Sequence, residues 1–378
     1  MKCSGIVLGT GQLAQITFGS VITAVEPAAG GLDDPPFVAP GWIDLQVNGF
    51  AGVDFNSPST PHEEIGRAVR ALRACGVARF FATVITGSFQ TMAGALSNLA
   101  AARESIAEGE SIEGFHVEGP YISPEDGPRG AHPREWVRPP DLAEFDRFQE
   151  AARGLIRLVT LAPEWPGAPR FIEALVCRGM VVSIGHTQAT SDEIRAAVDA
   201  GATMSTHLGN GAGEMLSRRT NYLWEQLAED RLAAGFIVDG VHLDTAFLKV
   251  ALRAKGVDRS VLVTDAAAPA GCAPGRYRLG SLDVVLTEEQ CILLADRSRL
   301  AASALSLDHA IENLMKLAGL SLREAVAMAT VNPARAGRVA GRQRGLVAGD
   351  RADIVQFRFD ALSKRIKIEE VIVGGRCL

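Results

Sequence analysis

The stretch MVVSIGHTQATSDEIRAAVDAGATMSTHL, residues 180–208, decides the reading of the fold. It holds an apolar run, then a segment with helical spacing opened by a capping-type Ser191 and closed by Gly201, then a second apolar run. Apolar runs of strand length that alternate with amphipathic segments are the pattern of parallel strands joined by crossover helices. The first run ends in His186, and the second carries His207 one residue before its end.

Working outward, the unit repeats. The runs WIDLQV (42–47), RFFATVIT (79–86), GFHVEG (114–119), IRLVTLA (156–162), GFIVDG (235–240) and SVLVTDA (260–266) join the first two to make eight predicted strands. Segments such as HEEIGRAVRALRACG, before RFFATVIT, carry helical spacing. Eight strand–helix units favour an α/β fold closed into a (β/α)8 TIM-like barrel over an open sheet, and such barrels take about 250 residues. Residues 40–344 are expected to form it. The terminal segments 1–39 and 345–378 contain GIVLG, VITAVEP, DIVQFRF and VIVGGRC, and are expected to build one small β-sandwich domain shared by both ends of the chain. Residues 268–303 read as a turn-rich excursion with hairpin strands after the eighth barrel strand.

The 378 residues, 47% hydrophobic and 22% charged, suffice for one large core and a smaller second domain. With a net charge of -6 and no Lys/Arg-rich run, nucleic acid and membrane surfaces are not expected partners. Six scattered cysteines without a Cys-x-x-Cys pair speak against a zinc ribbon or a disulfide framework and for a reduced, cytoplasmic compartment. The first twenty residues lack the unbroken apolar stretch of a signal peptide, and nothing later reaches a membrane-spanning length.

The polar residues that interrupt the apolar runs fall at their C-terminal ends: Gln46 and Asn48, Thr86, His116 and Glu118, His186, His207, Asp239 with His242, and Asp265. In a parallel barrel these ends share the face that carries the active site. Taken singly, a His or Glu at a strand exit is commonly a satisfied structural group. Together, Glu118, His186 and His207 offer one hard oxygen and two imidazoles, a set that suits a catalytic divalent metal with an open position for water. Such a metal acidifies water and polarises a carbonyl. Asp265 is the candidate to take the water proton and return it to a leaving nitrogen, against the plainer reading of an Asp capping the turn into AAAPAG.

The strings PGWIDLQVNG (40–49), HVEGPYIS (116–123), RGAH (129–132), TLAPE (160–164), SIGHTQAT (183–190), STHLGN (205–210), DGVHLD (239–244), VTDAAAPAG (263–271) and ATVNPAR (329–335), in this order over nearly the whole chain, resemble the amidohydrolase superfamily and within it the N-acetylglucosamine-6-phosphate deacetylase family. The resemblance implies metal-dependent removal of the N-acetyl group of an amino sugar, N-acetylglucosamine 6-phosphate. It assigns Glu118, His186 and His207 as metal ligands, Asp265 as catalytic acid/base, and His132 beside the acetyl carbonyl. Asn210, Gly211 and His242 would contact the sugar or its phosphate. Relatives with two metals carry His-x-His at the first strand. Gln46-x-Asn48 stands there in this chain, and neutral amides are feeble ligands, so one divalent metal per subunit is expected, Zn2+ first, with Fe2+, Co2+ or Mn2+ as options.

Arg218 stands near the family's phosphate-binding arginine, which often acts across a homodimer interface, but the Glu-Pro-Gly that should follow it is absent. The alternatives are therefore a different N-acyl substrate on the same scaffold (an unphosphorylated N-acetyl sugar, an N-acyl-D-amino acid or a cyclic amide) and a catalytically silent relative. The retention of Glu118, His186, His207 and Asp265 argues against the last.

Overall fold

The computed structural model describes residues 1–28 and 33–377; residues 29–32 and 378, within the expected terminal segments, lie outside the described residues. Eight parallel strands follow one another around a single sheet in chain order: Trp42–Val47, Val77–Ile85, Ile112–Glu118, Ile156–Leu161, Val181–Ile184, Met204–Ser205, Ala233–Phe236 and Ser260–Leu262. These are the eight runs foreseen. The sheet closes at its C-terminal rim, where Val47 bridges Ala266 in parallel. There the Asp265 N–H donates to the Gln46 carbonyl (3.0 Å) and the Asn48 N–H to the Ala266 carbonyl (2.7 Å). All six residues of Trp42–Val47 are buried, as expected of a strand with side chains on one face inside the barrel and on the other under helices.

Helices His62–Ala74, Phe89–Ser105, Leu142–Ala151, Ala168–Cys177, Ser191–Asp199, Tyr222–Ala228, Thr245–Lys255 and Leu307–Asn313 alternate with the strands. The first turns Ile65, Ala68, Val69 and Leu72 inward, the three- and four-residue spacing that its sequence predicts. The cap of Ser191–Asp199 is one residue earlier than read from sequence. Thr190 is extended and forms a reciprocal capping box with Glu193, while Ser191 is already helical and its hydroxyl donates to Glu225 (2.7 Å).

The termini meet in one seven-stranded sheet, ordered Arg376–Cys377, Arg365–Val373, Ile354–Asp360, Phe37–Pro40, Lys2–Val7, Gln12–Phe18 and Ile22–Pro27. It curls until the Ile22 N–H reaches the Asp350 carbonyl (2.8 Å) and the Ala352 N–H reaches the Ser20 carbonyl (3.0 Å), sandwiching its own core of Val7, Ile16, Phe18, Ile22, Val38, Ile354 and Ile372. Residues 268–303 contain a separate antiparallel sheet, Gly275–Leu279, Leu282–Leu286, Cys291–Leu294 and Leu300–Ser303. Its last residue returns to the barrel, the Ser303 N–H donating to the Asp265 carbonyl (3.1 Å). Among the described residues no helix is long and apolar enough to cross a membrane.

Buried charge docks the terminal sheet on the barrel. Arg79, in the second barrel strand, grips Asp353 with two bonds of 2.9 Å, and Arg342 adds a third of 2.6 Å. Burial opposes ionisation of Asp353, but the surrounding guanidiniums of Arg342, Arg79 and Arg351 hold its carboxyl well below the usual range. Removing the carboxylate would leave buried guanidiniums uncompensated. Asp353→Asn is expected to cost about 3–5 kcal/mol of stability, read from the urea midpoint. Because the native carboxyl is depressed, its contribution should be complete above about pH 4 and decline as pH falls below that. An unchanged midpoint near neutral pH would remove the cluster from the docking.

Candidate active site

The strand ends open into a cavity of about 730 Å3 lined by Glu118, His132, His186, His207, Asn210, Gly211, His242 and Asp265, among others. Glu118 ends its strand, whereas His186 and His207 each lie two residues beyond theirs, which end at Ile184 and Ser205. The backbone turns sharply there: φ is 49° at His186, 27° at His207 and 51° at Asp265. Left-handed backbone costs a non-glycine residue on the order of 1–3 kcal/mol and persists only where the surroundings enforce it. Here it swings three side chains from the strand exits toward one point.

Glu118 Oε1 lies 2.9 Å from His207 Nε2 and 3.2 Å from His186 Nε2, and the two Nε2 atoms are 3.1 Å apart. His186 Nδ1 is 2.8 Å from the Pro128 carbonyl, which only accepts, so Nδ1 carries a hydrogen and Nε2 faces the cluster. An acceptor oxygen and two ring nitrogens converging in a buried site can hold a cation between them. Four-coordinate zinc with bonds of about 2.0–2.1 Å sets its ligand atoms about 3.3 Å apart, so this donor set fits a divalent ion. Against the burial that would raise it, His186 and His207 hold Glu118 well below the usual carboxylate range. Burial also works against charge on His207, and the Glu118 contact overrides it, raising its pKa.

Gln46 and Asn48 complete the cluster as donors. Gln46 Nε2 bridges Glu118 Oε1 (2.9 Å) and Asp265 Oδ1 (3.0 Å), and Asn48 Nδ2 donates to Asp265 Oδ1 (2.7 Å). An NH2 group facing both carboxylates offers no lone pair to a second ion in that space. Burial, with the Glu118 charge adding to it, pushes the Asp265 carboxyl up to about 7.

His132 packs edge-on to His186, ring centroids 4.4 Å apart, with Nδ1 2.8 Å from the Thr86 hydroxyl. Burial, then the neighbouring His186, lowers its pKa to about 3, so the ring is neutral. His242 turns Nδ1 onto Asp239 (2.5 Å). Asn210 spends its side-chain NH2 on the His207 carbonyl (3.1 Å). Gly211 has φ 55°, and a Cβ there would stand 2.6 Å from His186 Nδ1, so only glycine permits this approach.

Two further residues of the sequence reading lie outside the cluster. Arg218 is exposed and does not line the cavity of its own chain. His116, at the third strand, is turned into the barrel, its Nε2 on the Thr160 hydroxyl (2.7 Å). Arg299 does line the cavity and was not anticipated, since no periodicity marks a loop residue four positions before the excursion rejoins the barrel.

The chain matches the Amidohydrolase family over residues 37–378. It is 32% identical over 358 residues to N-acetylgalactosamine-6-phosphate deacetylase of Escherichia coli O157:H7, covering 94% of this chain and 92% of the relative. It is also 32% identical over 319 residues to N-acetylglucosamine-6-phosphate deacetylase of Bacillus subtilis, covering 84% and 79%. A solved structure of a mutant N-acetyl-D-glucosamine-6-phosphate deacetylase from Mycobacterium smegmatis, in complex with N-acetyl-D-glucosamine-6-phosphate, superposes with a TM-score of 0.88 at 32% identity, covering 100% of this chain and 98% of that one. With the barrel, the buried Glu/His/His cluster and a family match over nine-tenths of its length, the chain belongs to the amidohydrolase family.

Proposed function

We propose that this protein hydrolyses the N-acetyl amide of N-acetylglucosamine 6-phosphate, giving acetate and glucosamine 6-phosphate. The observation that carries the proposal is the convergence of Glu118, His186 and His207 beside Asp265 at the mouth of a closed barrel. The names of the relatives supply the substrate class, and the E. coli relative makes N-acetylgalactosamine 6-phosphate the second reading. The reaction belongs to the barrel, taken as residues 40–344, with 1–39 and 345–378 as the docked second domain.

A divalent ion on Glu118, His186 and His207, in our reading one Zn2+, supplies Lewis acidity toward the amide carbonyl and acidifies water. Asp265, steadied by Gln46 and Asn48 on one oxygen, takes the proton of the attacking water on its free oxygen and returns it to the leaving nitrogen. His132, neutral and held through Nδ1 against the Thr86 hydroxyl, is the group we place beside the acyl oxygen, which it polarises. His242, held by Asp239, with Asn210 and Gly211, borders the sugar and its phosphate. Arg218 shares an exposed loop with Met215 (93% exposed) and Leu216, with Trp224 half-exposed nearby. Apolar side chains so displayed suit cover by a second subunit, and we place Arg218 at the phosphate of the partner's cavity in a cytoplasmic homodimer.

Protein dialysed after zinc loading should retain one tightly held ion per chain, and His207→Ala should retain none. Two ions per chain would refute the role given to Gln46. Asp265→Asn should keep the metal while turnover falls by about 10²–10⁴, because an amide neither accepts nor returns the proton. Arg218→Ala should raise KM for the 6-phosphate and leave that of unphosphorylated N-acetylglucosamine alone. A substrate panel spanning both epimers, with and without phosphate, tests the whole reading; failure to release acetate from any of them would end it.

A further inference from the structure

The loop that follows the third barrel strand builds part of the candidate active site with its backbone. The Pro128 carbonyl fixes the His186 ring (2.8 Å). Gly130, with φ 61°, lies against the same ring, a Cβ there falling 3.3 Å from His186 Cε1. His132 stacks edge-on to it, and Arg129 ties the His132 carbonyl (2.7 Å) back to the loop. The orientation of one candidate ligand and of the group offered to the acyl oxygen thus depends on where residues 128–132 sit.

The excursion sheet reaches this loop through Arg299, the residue before the strand that returns to Asp265. Its Nη1 donates to the Gly130 carbonyl (3.0 Å). Its Nη2 stands 3.7 Å from Asp126, whose carboxylate is already paired with Arg129, so the directed contact is the one to the carbonyl. We infer that Arg299 is a positioning residue: by holding the Gly130 carbonyl it presses the loop onto His186 and sets His186 and His132 for reaction. The polar contacts of the guanidinium go to Gly130 and Asp126 and to none of Glu118, His186, His207 or Asp265, so it acts through the loop. Outer contacts that orient a metal-ligating histidine typically account for about 10–100-fold in metal retention or turnover.

The inference rests on the proposed hydrolysis only for its kinetic arm. Zinc-loaded Arg299→Ala should release metal to a chromophoric chelator about tenfold faster than the wild type. Its kcat should fall by a similar factor with KM little changed. Arg299→Lys should recover most of both losses, since one donor on the Gly130 oxygen suffices. Wild-type metal release in Arg299→Ala would overturn the inference. So would equal impairment of the alanine and lysine variants with a matching drop in melting temperature, which marks a purely structural role. The chelator arm decides the matter even if no N-acetyl sugar is turned over, and that result would count against the hydrolysis alone.

Discussion

Closing the sheet requires that its first and last strands meet at the rim, and the chemistry of the site depends on that junction. The pairing of Gln46 with Asp265 and of Asn48 with Ala266 is made by backbone groups that a barrel cannot leave unsatisfied. The same junction brings the side chains of Gln46 and Asn48 onto the Asp265 carboxylate, and Gln46 onward to Glu118. A carboxylate that would otherwise be an isolated buried charge is thereby held by two amides and set beside the Glu/His/His cluster. Slipping the closure by one residue would turn these side chains to the opposite face.

Around that junction the fold stores strain. Three residues with Cβ atoms, His186, His207 and Asp265, take left-handed backbone just beyond their strands. The surroundings that hold them there are close contacts: Gly211 and Gly130 against the His186 ring, the Pro128 carbonyl on its Nδ1, and the Ser303 N–H on the Asp265 carbonyl. Loops far apart in sequence therefore share one task, to keep converging acceptors where hydration and charge repulsion would separate them. The terminal sheet lies elsewhere and is held by a different device, the buried Asp353 between Arg79 and Arg342.

The sequence by itself determined the eight strands, their parallel alternation with helices, and the convergence of polar residues on one face. Those features follow from hydrophobic periodicity and from the rule that strand ends of a parallel barrel face the same way. Glu118, His186, His207 and Asp265 were legible as a group because strand exits place polar residues against an apolar background. His116 stood in the same background and was indistinguishable until the barrel turned its ring onto Thr160. Periodicity reports burial and says nothing of which way a ring points.

Only the tertiary structure decided what the loops do. Arg218, suggested by alignment of motifs, is on the outer surface of its own chain, while Arg299, unmarked by any pattern, reaches the loop over His186. The strand Gln12–Phe18 joined the terminal sheet, although adjacent Leu13 and Ala14 blur its alternation. Loop positions and edge pairings depend on contacts between residues far apart along the chain, here 169 positions between Gly130 and Arg299. Local pattern carries no trace of such contacts, because the energy that selects them arises only when the barrel has closed and the segments are already neighbours.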